Sequence, residues 1–539
     1  MVDTQGAVGC EVLVLGAGPT GLTAALDLVR RGIDVRIVDP AFSAPMRSPS
    51  RGLGPRSLEI FDDLGVVDEL LRFGSLGQGL RMYAGRREVT HLPAGSDRSS
   101  RRRRAGRRYS RSLAIATRQV ERVLRESLAA GGVKVEVGLD VRAWEQDDSG
   151  VTVRMAPEDG GSGELRVRAA YVVLADVPAT TLPATGAPGT TALTTANGSA
   201  SSGPAVYVGE VRVDGLPRED TLHVWTEGIM LAPLPAEDTW WFRADGVPDA
   251  SHRAPTLTQC QELFQQRTGR DDVRIVGTQF LTAYPARYDA DLGSASYRQG
   301  RVFLAGDAVG DRSLPRGVDA GIQDAYNLGW KLAAAIRAGE DVVLDSYEPE
   351  RQAHEAGSSG SGPSASYPRH RPRLPLGARR WGRRWYAELG GQAQLDLHYR
   401  GSGLSQELGG KRVLLRAGDR VPDIRLWSVR AAREIRLFEI LRGTHWTALG
   451  LGSVAAEAVA AVVRRFGSGV QGEVIGGGSV GSAIPGVTLL DSHGEARHTL
   501  GSRGGSVLLV RPDGYLGLRA GGRPEVIAAY LEGMVAEEL

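Results

Sequence analysis

Three glycines and one acid near the start of the chain have the spacing expected of a phosphate- and ribose-binding turn. Gly16, Gly18 and Gly21 follow a Gly-x-Gly-x-x-Gly pattern, and Asp39 follows further along the chain. In such a turn the first glycine permits a sharp bend, the second lets a pyrophosphate approach the backbone, and the third allows close packing. Asp39 is placed to accept hydrogen bonds from a ribose diol. The pattern predicts a dinucleotide site, with a purely structural glycine turn as the alternative.

The elements that must position these residues are a strand, a helix and a second strand. The sequence predicts a buried strand at Glu11–Leu15, a helix at Pro19–Arg31 and a strand at Val35–Val38. The helix start, which contains Pro19 and Thr20, would present free N–H groups and a positive dipole end to phosphate oxygens. This order indicates a Rossmann-like βαβ unit.

A second region later in the chain repeats the order of a buried strand, a glycine and a helix, here with an acid directly after the glycine. A buried strand is predicted at Val302–Ala305, and Gly306 and Asp307 follow at its carboxyl end, where open α/β sheets bind ligands. Asp307 is expected to accept a hydrogen bond from a cofactor hydroxyl. Gly317 precedes a long predicted helix at Val318–Arg337, whose N-terminus would stabilise negative charge on the cofactor.

Three arginines are candidates for the same ligand. Arg51 and Arg56 flank the start of a helix opened by Pro55, and Arg118 begins a predicted amphipathic helix that ends at Ala130. We predict that these arginines contact the cofactor. For Arg51 and Arg56, solvated arginines beside a helix are the alternative interpretation.

The middle of the chain predicts an antiparallel sheet inserted between parts of the nucleotide domain. It would form a roof over a large apolar substrate, and three tryptophans would either line that roof or serve as ordinary core. The tryptophans are Trp225, Trp240 and Trp241, and the strands are Val206–Val213, Thr221–Trp225, Ile229–Pro233 and Thr239–Ala244.

Composition limits the class of protein. A chain of 539 residues with 42% hydrophobic residues supports about three domains. A formal net charge of +2 does not call for nucleic acid, and the longest apolar run is too short for a membrane span. Cys10 and Cys260 are too few for a disulfide framework or a metal cluster, and residues 1–10 show no signal-peptide pattern. We therefore expect a soluble protein of the reducing cytoplasm without metal, nucleic-acid or membrane partners.

An arginine-rich stretch interrupts this balanced composition. Residues 98–111 contain eight arginines, with Tyr109 among them. We interpret the stretch as a solvated or mobile loop. A nucleic-acid-binding arm and a lid over an anionic or carrier-bound substrate are the alternatives.

Several longer motifs resemble one enzyme family. They are GAGPTGL at Gly16–Leu22, RSLEIFDDLGV at Arg56–Val67, GRVFLAGDA with GIQDAYNLGWKLA at Gly300–Ala333, and VLLVRPDGYLGLR at Val507–Arg519. With them the chain resembles the group A flavoprotein monooxygenases, in particular the aromatic-polyketide hydroxylases. The resemblance implies FAD and an α/β, p-hydroxybenzoate-hydroxylase-like fold: a Rossmann-like FAD domain with an inserted antiparallel substrate-binding sheet, plus a C-terminal thioredoxin-like domain.

The same resemblance sets the predicted domain boundaries. The FAD domain is expected in three parts, at 1–80, 113–180 and 286–355, and the substrate domain at 81–112 and 181–285. A linker at 356–385 precedes the thioredoxin-like domain at 386–539, which lacks a Cys-x-x-Cys pair for thiol chemistry.

The chain departs from the family pattern at the flavin-ring end. After Asp176 the family usually shows Gly and then Arg-Ser, whereas Val177, Ala179 and Thr180 stand here. Gly310 replaces a histidine, and the loop before the second long helix is about two residues shorter. Thr117 stands where glutamine or arginine commonly contacts the cofactor. These changes leave the adenine and pyrophosphate end intact and alter the ring and reductant end.

The departures set the functional hypotheses. We favour redox-neutral ring closure of an apolar polyketide with FAD as a structural part of the pocket, because the chain is also similar to flavin-containing decalin-forming cyclases. An NAD(P)H- and oxygen-dependent hydroxylase is the alternative, and a non-catalytic flavin-binding scaffold is a third class. No catalytic residue is assigned, because the histidines are scattered: His223, His252, His354 and His398. The sequence assigns no oligomeric state.

Overall fold

The computed structural model describes most of the chain. The described residues are 8–39, 51–94, 107–157, 163–176, 204–248, 254–285, 296–309, 316–339, 341–358, 394–408, 414–478, 480–481, 484–501, 504–532 and 534. Most of the arginine-rich stretch at 98–111 and of the linker at 356–385 lies outside them, as do Val177, Ala179, Thr180 and Gly310.

The strands of the first two thirds of the chain build two large sheets and one small one. In chain order they are β1 (Val8–Leu15), β2 (Val35–Asp39), β3 (Gly52–Leu53), β4 (Ser75–Leu76), β5 (Gly79–Ala84), β6 (Arg87–Leu92), β7 (Leu113–Ala114), β8 (Glu136–Val137), β9 (Leu139–Asp147), β10 (Gly150–Pro157), β11 (Leu165–Ala175), β12 (Ala205–Asp214), β13 (Thr221–Trp225), β14 (Ile229–Pro233), β15 (Trp240–Val247), β16 (Arg274–Pro285), β17 (Arg298–Gln299) and β18 (Val302–Ala305).

The remaining strands form the C-terminal sheet, and helices flank all of these layers. The C-terminal strands are β19 (Gln406–Glu407), β20 (Arg425–Ser428), β21 (Arg433–Arg436), β22 (Trp446–Leu451), β23 (Val470–Gly476), β24 (Leu489–Leu490), β25 (Ser506–Val510) and β26 (Leu516–Gly521). The helices are α1 (Pro19–Arg30), α2 (Pro55–Asp63), α3 (Val67–Phe73), α4 (Thr117–Ala130), α5 (Leu257–Thr268), α6 (Val318–Ala338), α7 (Tyr347–Ser358), α8 (Leu437–Leu441), α9 (Ala456–Phe466), α10 (Glu495–Thr499) and α11 (Pro524–Leu531).

The first sheet carries the predicted βαβ unit at its centre. Parallel strands lie in the order β18-β11-β1-β2-β8, with antiparallel β17 at the edge and the β9–β10 hairpin joined to β11. Because the strands are parallel, Leu15, Ala175 and Ala305 end at one edge in register. That edge faces the N-termini of α1 and α6, as the sequence predicts.

The second sheet is the predicted inserted layer. Its order is β16-β12-β15-β14-β13-β5-β6, antiparallel except for the β5–β13 pair. One face of the sheet, which carries Trp225 and Trp240, packs on α5, and Trp225 contacts Phe264 of that helix. The opposite face carries Met230 and Trp241 and packs toward Ala116, just before α4. The alternation of strand side chains thus places Trp225 and Trp240 on one face and Trp241 on the other, and all three are buried.

The C-terminal sheet has thioredoxin-like topology. β22, α9 and parallel β23 form a βαβ unit, while β25 runs antiparallel to β22 and pairs with β26. α11 closes the layer. The predicted mixed α/β class is therefore confirmed, although the domain boundaries remain predictions.

The sequence predicts strands at Val133–Val137 and Val413–Leu415 and a closing helix at Pro524–Glu538, and the described residues differ from all three. Leu414 and Leu415 are not in a strand, although a strand was predicted at Val413–Leu415, and Val413 lies outside the described residues. Only Glu136–Val137 of the predicted strand Val133–Val137 pairs in the sheet, because the chain first turns out of α4. The last helix ends at Leu531, where Glu532 takes an extended conformation.

A buried charged cluster joins α6 and α7 to the C-terminal sheet. Arg511 pairs through Nη1 with Glu350 Oε1 at 2.6 Å and through Nη2 with Asp513 Oδ2 at 2.6 Å. Lys331 Nζ lies 2.8 Å from Glu350 Oε2, and Trp330 Nε1 donates to Asp513 Oδ2 at 3.0 Å. Burial works against the charged form of Glu350, but Arg511 and Lys331 outweigh it and hold its pKa well below the usual range. Removing one partner from such a cluster leaves an uncompensated charge in the interior.

Among the described helices, none combines the length and the apolar character that a membrane span requires.

Candidate functional site

The N-terminus of α1 meets a carboxylate from the neighbouring strand. Thr20 N donates to Asp176 Oδ2 at 2.8 Å, and Thr20 Oγ1 donates to Asp176 Oδ1 at 2.5 Å. Asp176 directly follows β11 and has a φ of 55°, in the left-handed region. Burial, reinforced by the nearby negative charge of Asp307, raises the pKa of Asp176 to about 7. A carboxyl group that titrates far above its usual range therefore lies at the positive end of this helix.

Three glycines leave room for the hydrogen-bonded side chains of Thr20 and Asp176. A Cβ on Gly18 would lie 2.6 Å from Asp176 Oδ2, and a Cβ on Gly306 would lie 2.6 Å from Thr20 Oγ1. A Cβ on Gly321 would collide with the same hydroxyl. Asp176 therefore occupies the space that a Gly18 side chain would need, and contact of the Gly18 backbone with a pyrophosphate stays a prediction.

Gly16 and Gly21 match their predicted roles. Gly16 has a φ of 103°, in the left-handed region where glycine is favoured. A Cβ on Gly21 would collide with the carbonyl oxygen of Gly16, so the turn and the first turn of α1 pack without a gap.

One face of α4 lines the adenine end of the edge. Arg118, Glu121 and Arg125 recur at helical spacing on this face. Arg125 Nη2 donates to Ala17 O at 3.0 Å and to Asp39 Oδ2 at 3.4 Å. Burial raises the pKa of Glu121 to about 7, and although Arg125 opposes this, Asp176 adds to it. Sequence reasoning missed Glu121 and Arg125, although their spacing on a predicted amphipathic helix was the available signal.

The N-terminus of α6 defines the opposite end. Gly317 has a φ of 89° and caps the helix. Asp319 in its first turn accepts from Gly54 N at 2.8 Å and from Ser57 Oγ at 2.5 Å, so one carboxylate also caps α2. Burial raises the pKa of Asp319.

Arg316 connects the same end to the turn after β18. Its backbone N–H donates to Asp307 Oδ1 at 2.8 Å, and its Nη1 donates to Gly306 O at 3.2 Å. Nη2 donates to Tyr297 OH at 2.8 Å. The turn that presents Asp307 is therefore fixed by buried hydrogen bonds.

Comparison with known proteins decides the family. A family model described as an FAD binding domain matches residues 9–357. This chain belongs to that FAD-binding family. Over 466 residues it is 32% identical to a flavin-dependent monooxygenase of Mycobacteroides abscessus, covering 82% of this chain and 89% of that protein. Over 548 residues it is 27% identical to the 6-methylpretetramide 4-monooxygenase of Streptomyces rimosus, covering 94% of this chain and 90% of that protein.

Solved structures show the same fold. A ternary complex of aklavinone-11 hydroxylase with FAD and aklavinone matches with a TM-score of 0.73 at 22% identity, over 98% of this chain and 99% of that chain. The flavin-dependent monooxygenase PieE, in complex with FAD and substrate, matches with a TM-score of 0.72 at 20% identity, over 98% and 99% of the two chains. The predicted resemblance to flavoprotein monooxygenases and the predicted cofactor FAD are confirmed.

We call the edge at the carboxyl ends of β1, β11 and β18, together with the N-termini of α1 and α6 that face it, the FAD groove. The groove fits FAD in charge and in hydrogen-bonding capacity. The positive N-terminal ends of α1 and α6 and the guanidinium of Arg125 favour the negative charge of a pyrophosphate, while Asp39 and Asp307 offer acceptors to sugar and ribitol hydroxyls. Thr117 Oγ1 is buried at the start of α4 without a hydrogen-bond partner among the described residues. Such a hydroxyl is expected to meet a polar group of the ligand.

The three predicted arginines have different surroundings. Arg56 is buried and donates to Asp513 O at 2.7 Å and to Glu59 Oε2 at 3.1 Å, with its guanidinium over the Tyr515 ring. These contacts direct its guanidinium to the C-terminal domain, and direct contact of Arg56 with the cofactor stays a prediction.

The other two arginines remain cofactor candidates as well. Arg118 pairs with Glu210 and, at 2.5 Å, with Glu237, so its guanidinium ties α4 to the second sheet. Arg51 accepts a backbone hydrogen bond from Ile115 N at 3.3 Å beside the groove. For Gly16, Gly18, Pro19, Thr20, Gly21, Asp39, Arg51, Arg118, Gly306, Asp307 and Gly317, direct contact with FAD stays a prediction.

The second sheet adds one buried acid to the candidate site. Glu210 lies on β12 beside the apolar face that carries Val206, Val208 and Trp241. Its Oε1 has no hydrogen-bond partner in the described part of the chain, and burial raises its pKa against the effect of Arg118. No motif or spacing in the sequence pointed to Glu210, since only the paired strands bring it to α4.

The histidines show no catalytic arrangement in the described residues. His223 is buried and shares a hydrogen bond of 3.0 Å with Tyr83 OH, and burial lowers its pKa to about 4. His398 forms a backbone bridge with Asp419. His252 and the side chain of His354 lie outside the described residues.

Proposed function

We propose that this FAD-dependent enzyme is a monooxygenase that hydroxylates a polycyclic aromatic compound of the polyketide class. The observation that carries the proposal is the apolar face of the second sheet, which lies toward α4 with the buried acid Glu210 at its border. Relatives support the class of chemistry. They include the 6-methylpretetramide 4-monooxygenase of Streptomyces rimosus and the tetracenomycin A2 monooxygenase-dioxygenase of Streptomyces glaucescens, 28% identical over 374 residues.

The chain and the cofactor divide the work in this proposal. Bound FAD would supply hydride acceptance from a reduced nicotinamide and the activation of dioxygen. The chain holds the cofactor between the N-termini of α1 and α6, and the apolar face carrying Val208, Met230 and Trp241 excludes water and orients a flat ring system.

Glu210 supplies the polar contact of this substrate region. Its free Oε1 can accept a hydrogen bond from a phenolic hydroxyl, while Arg118 holds the other oxygen and keeps the carboxylate in place. A buried acceptor of this kind favours substrates that carry a donor over those that lack one.

The test is reduction and oxygen uptake by the purified holoenzyme. With an anthraquinone-type polyphenol as probe, NADPH is expected to bleach the flavin band anaerobically, and aerobic turnover is expected to give a product with one added oxygen atom. Oxygen consumption that yields only hydrogen peroxide with every polycyclic phenol tested would contradict the hydroxylase assignment.

A redox-neutral cyclase remains a second candidate. Two observations at the ring end favour it. The sequence lacks the family's usual glycine-rich loop there, and Arg316 and Asp319 are engaged in hydrogen bonds within the protein. Conversion of a linear polyene polyketide with oxygen and reduced nicotinamide both omitted would select this candidate, and an absolute need for both would exclude it.

A further inference from the structure

Asp324 is the buried hub beside the FAD turn. It lies in α6 with no exposed surface, and its Oδ2 accepts from Gly306 N at 2.9 Å and pairs with Arg316 Nη1. Its Oδ1 accepts from Arg351 Nε at 2.5 Å. The same carboxylate therefore contacts the turn that presents Asp307 and an arginine of α7.

Arg351 carries the connection to the C-terminal part of the chain. It is fully buried, its Nη1 donates to Tyr399 OH at 3.0 Å, and its Nη2 donates to Ala320 O at 3.4 Å. The Tyr399 ring packs on Tyr515, with ring centroids 4.2 Å apart. A continuous line of buried hydrogen bonds thus leads from the C-terminal domain to the backbone of Gly306.

A second contact runs parallel to this line. Gln323, the neighbour of Asp324 in α6, donates through Nε2 to Gln394 Oε1 in the same C-terminal segment as Tyr399. Gln323 therefore contacts a residue 71 positions away directly, whereas its neighbour Asp324 reaches Tyr399 through Arg351.

We infer that Arg351 and Tyr399 are positioning residues for FAD, through which the C-terminal domain fixes the Gly306–Asp307 turn. The guanidinium forms a rigid planar fork, so losing its Tyr399 partner removes one of the three contacts that fix its plane and lets the group rotate more freely about the contacts to Asp324 and Ala320. Rotation would loosen Asp324, and Asp324 holds Gly306 N and Arg316. The Asp307 carboxylate would then lose its fixed place, and FAD would bind to a less ordered turn.

Tyr530 provides a matched control. It is also a buried tyrosine of the C-terminal domain, and its hydroxyl donates to Leu404 O at 2.6 Å in the segment that contains Tyr399. Its described contacts include Trp446 and Leu404 but neither Arg351 nor Asp324. Tyr530→Phe therefore removes a comparable hydrogen bond without touching the line to Gly306.

The experiment compares Tyr399→Phe with Tyr530→Phe in the full-length protein. We measure the FAD dissociation constant by flavin fluorescence and the visible circular dichroism of the bound flavin. We expect Tyr399→Phe to weaken FAD binding about fivefold, the size of one buried hydrogen bond, and to change the dichroism, while Tyr530→Phe lowers only thermal stability. Equal effects of both variants on FAD, or no effect of Tyr399→Phe, would overturn the inference.

Arg351→Lys tests the same line from its centre. Lysine keeps a positive charge for Asp324 but lacks the fork that reaches Tyr399 and Ala320 together. We expect weaker FAD binding in this variant and little further loss in the double variant with Tyr399→Phe, because both act through one path. Additive losses would show that the two residues act independently and would contradict the inference.

Discussion

The two ends of the FAD groove are built in different ways. At the adenine end, α1 and β2 are neighbours in the chain, Arg125 of α4 lies 108 residues from its partner Ala17, and the contacts of Asp39 and Arg125 are partly exposed. At the ring end, Gly306, Arg316 and Asp324 depend on α7 and the C-terminal domain, and Asp324 and Arg351 have no exposed surface. The first end is partly open to solvent, whereas the second is a buried ionic assembly.

This difference predicts how the ends respond to change. Removing one partner of a solvated contact is expected to change the free energy of unfolding little. Removing one partner of a buried ionic assembly is expected to lower both the free energy of unfolding and the affinity for FAD. The following predictions test that contrast.

The largest effect is expected from Asp324→Asn at the ring end. The variant leaves Arg316 and Arg351 without their buried countercharge, which should cost about 3–5 kcal/mol of unfolding free energy and most FAD binding. Urea unfolding and flavin content of the purified protein measure this. Asp345→Asn, which loses an exposed pair with Arg298, serves as control and should change stability by less than about 0.5 kcal/mol.

Gly321→Ala tests the junction between the two ends. The added Cβ would collide with Thr20 Oγ1. We expect the free energy of unfolding, measured by thermal unfolding, to fall by about 1–3 kcal/mol despite the better helix propensity of alanine. Adding Thr20→Ala should recover part of the loss because the colliding hydroxyl is gone. A single variant as stable as the wild type would refute the tight junction.

The pH dependence of stability tests Asp176. Its pKa is raised from 3.8 to about 7 in the folded state, so the stability that it contributes is complete below pH 4 and is lost as the pH rises through 7. Between pH 5 and 8 the wild type should therefore lose unfolding free energy relative to Asp176→Asn, on the order of 2 kcal/mol. Parallel curves for the two proteins would contradict this. Asp147→Asn removes an exposed acid whose pKa is lowered by Arg168 and should show no such trend in this range.

The smallest effect is expected at the adenine end. Arg125→Met keeps the alkyl chain but removes the donor to Ala17 and Asp39, and should weaken FAD binding about fivefold with little loss of stability. Arg122→Met removes an exposed arginine of the same helix that pairs with Glu126, and its FAD affinity should not change. FAD titration by fluorescence separates the two. A loss at Arg125 as large as that at Asp324 would break the contrast between the ends.

Sequence reasoning succeeded where function depends on local spacing. The Gly16–Asp39 unit and the strand and helix around Gly306 follow from glycine positions and apolar periodicity, which act within one stretch of chain. It failed where the partner is remote. The contact of Arg56 with Asp513 and the place of Asp176 against Gly18 depend on residues brought together only by the fold.

The second sheet shows an intermediate case. Alternation along a strand predicts that Trp240 and Trp241 point to opposite faces, but it does not say which face meets α5. The sequence therefore predicts a roof and leaves its substrate side undetermined until the strand order is known.

The cluster of Glu350, Arg511, Asp513 and Lys331 bears on how this protein can be dissected. Cutting the chain ahead of the C-terminal sheet would remove Arg511 from Glu350 and the Asp513 acceptor from Trp330, and would expose the apolar surface around Trp330 and Val343 to water. The rest of the protein therefore depends on the C-terminal sheet for its stability. A fragment that ends near residue 358 is expected to aggregate instead of folding and binding FAD.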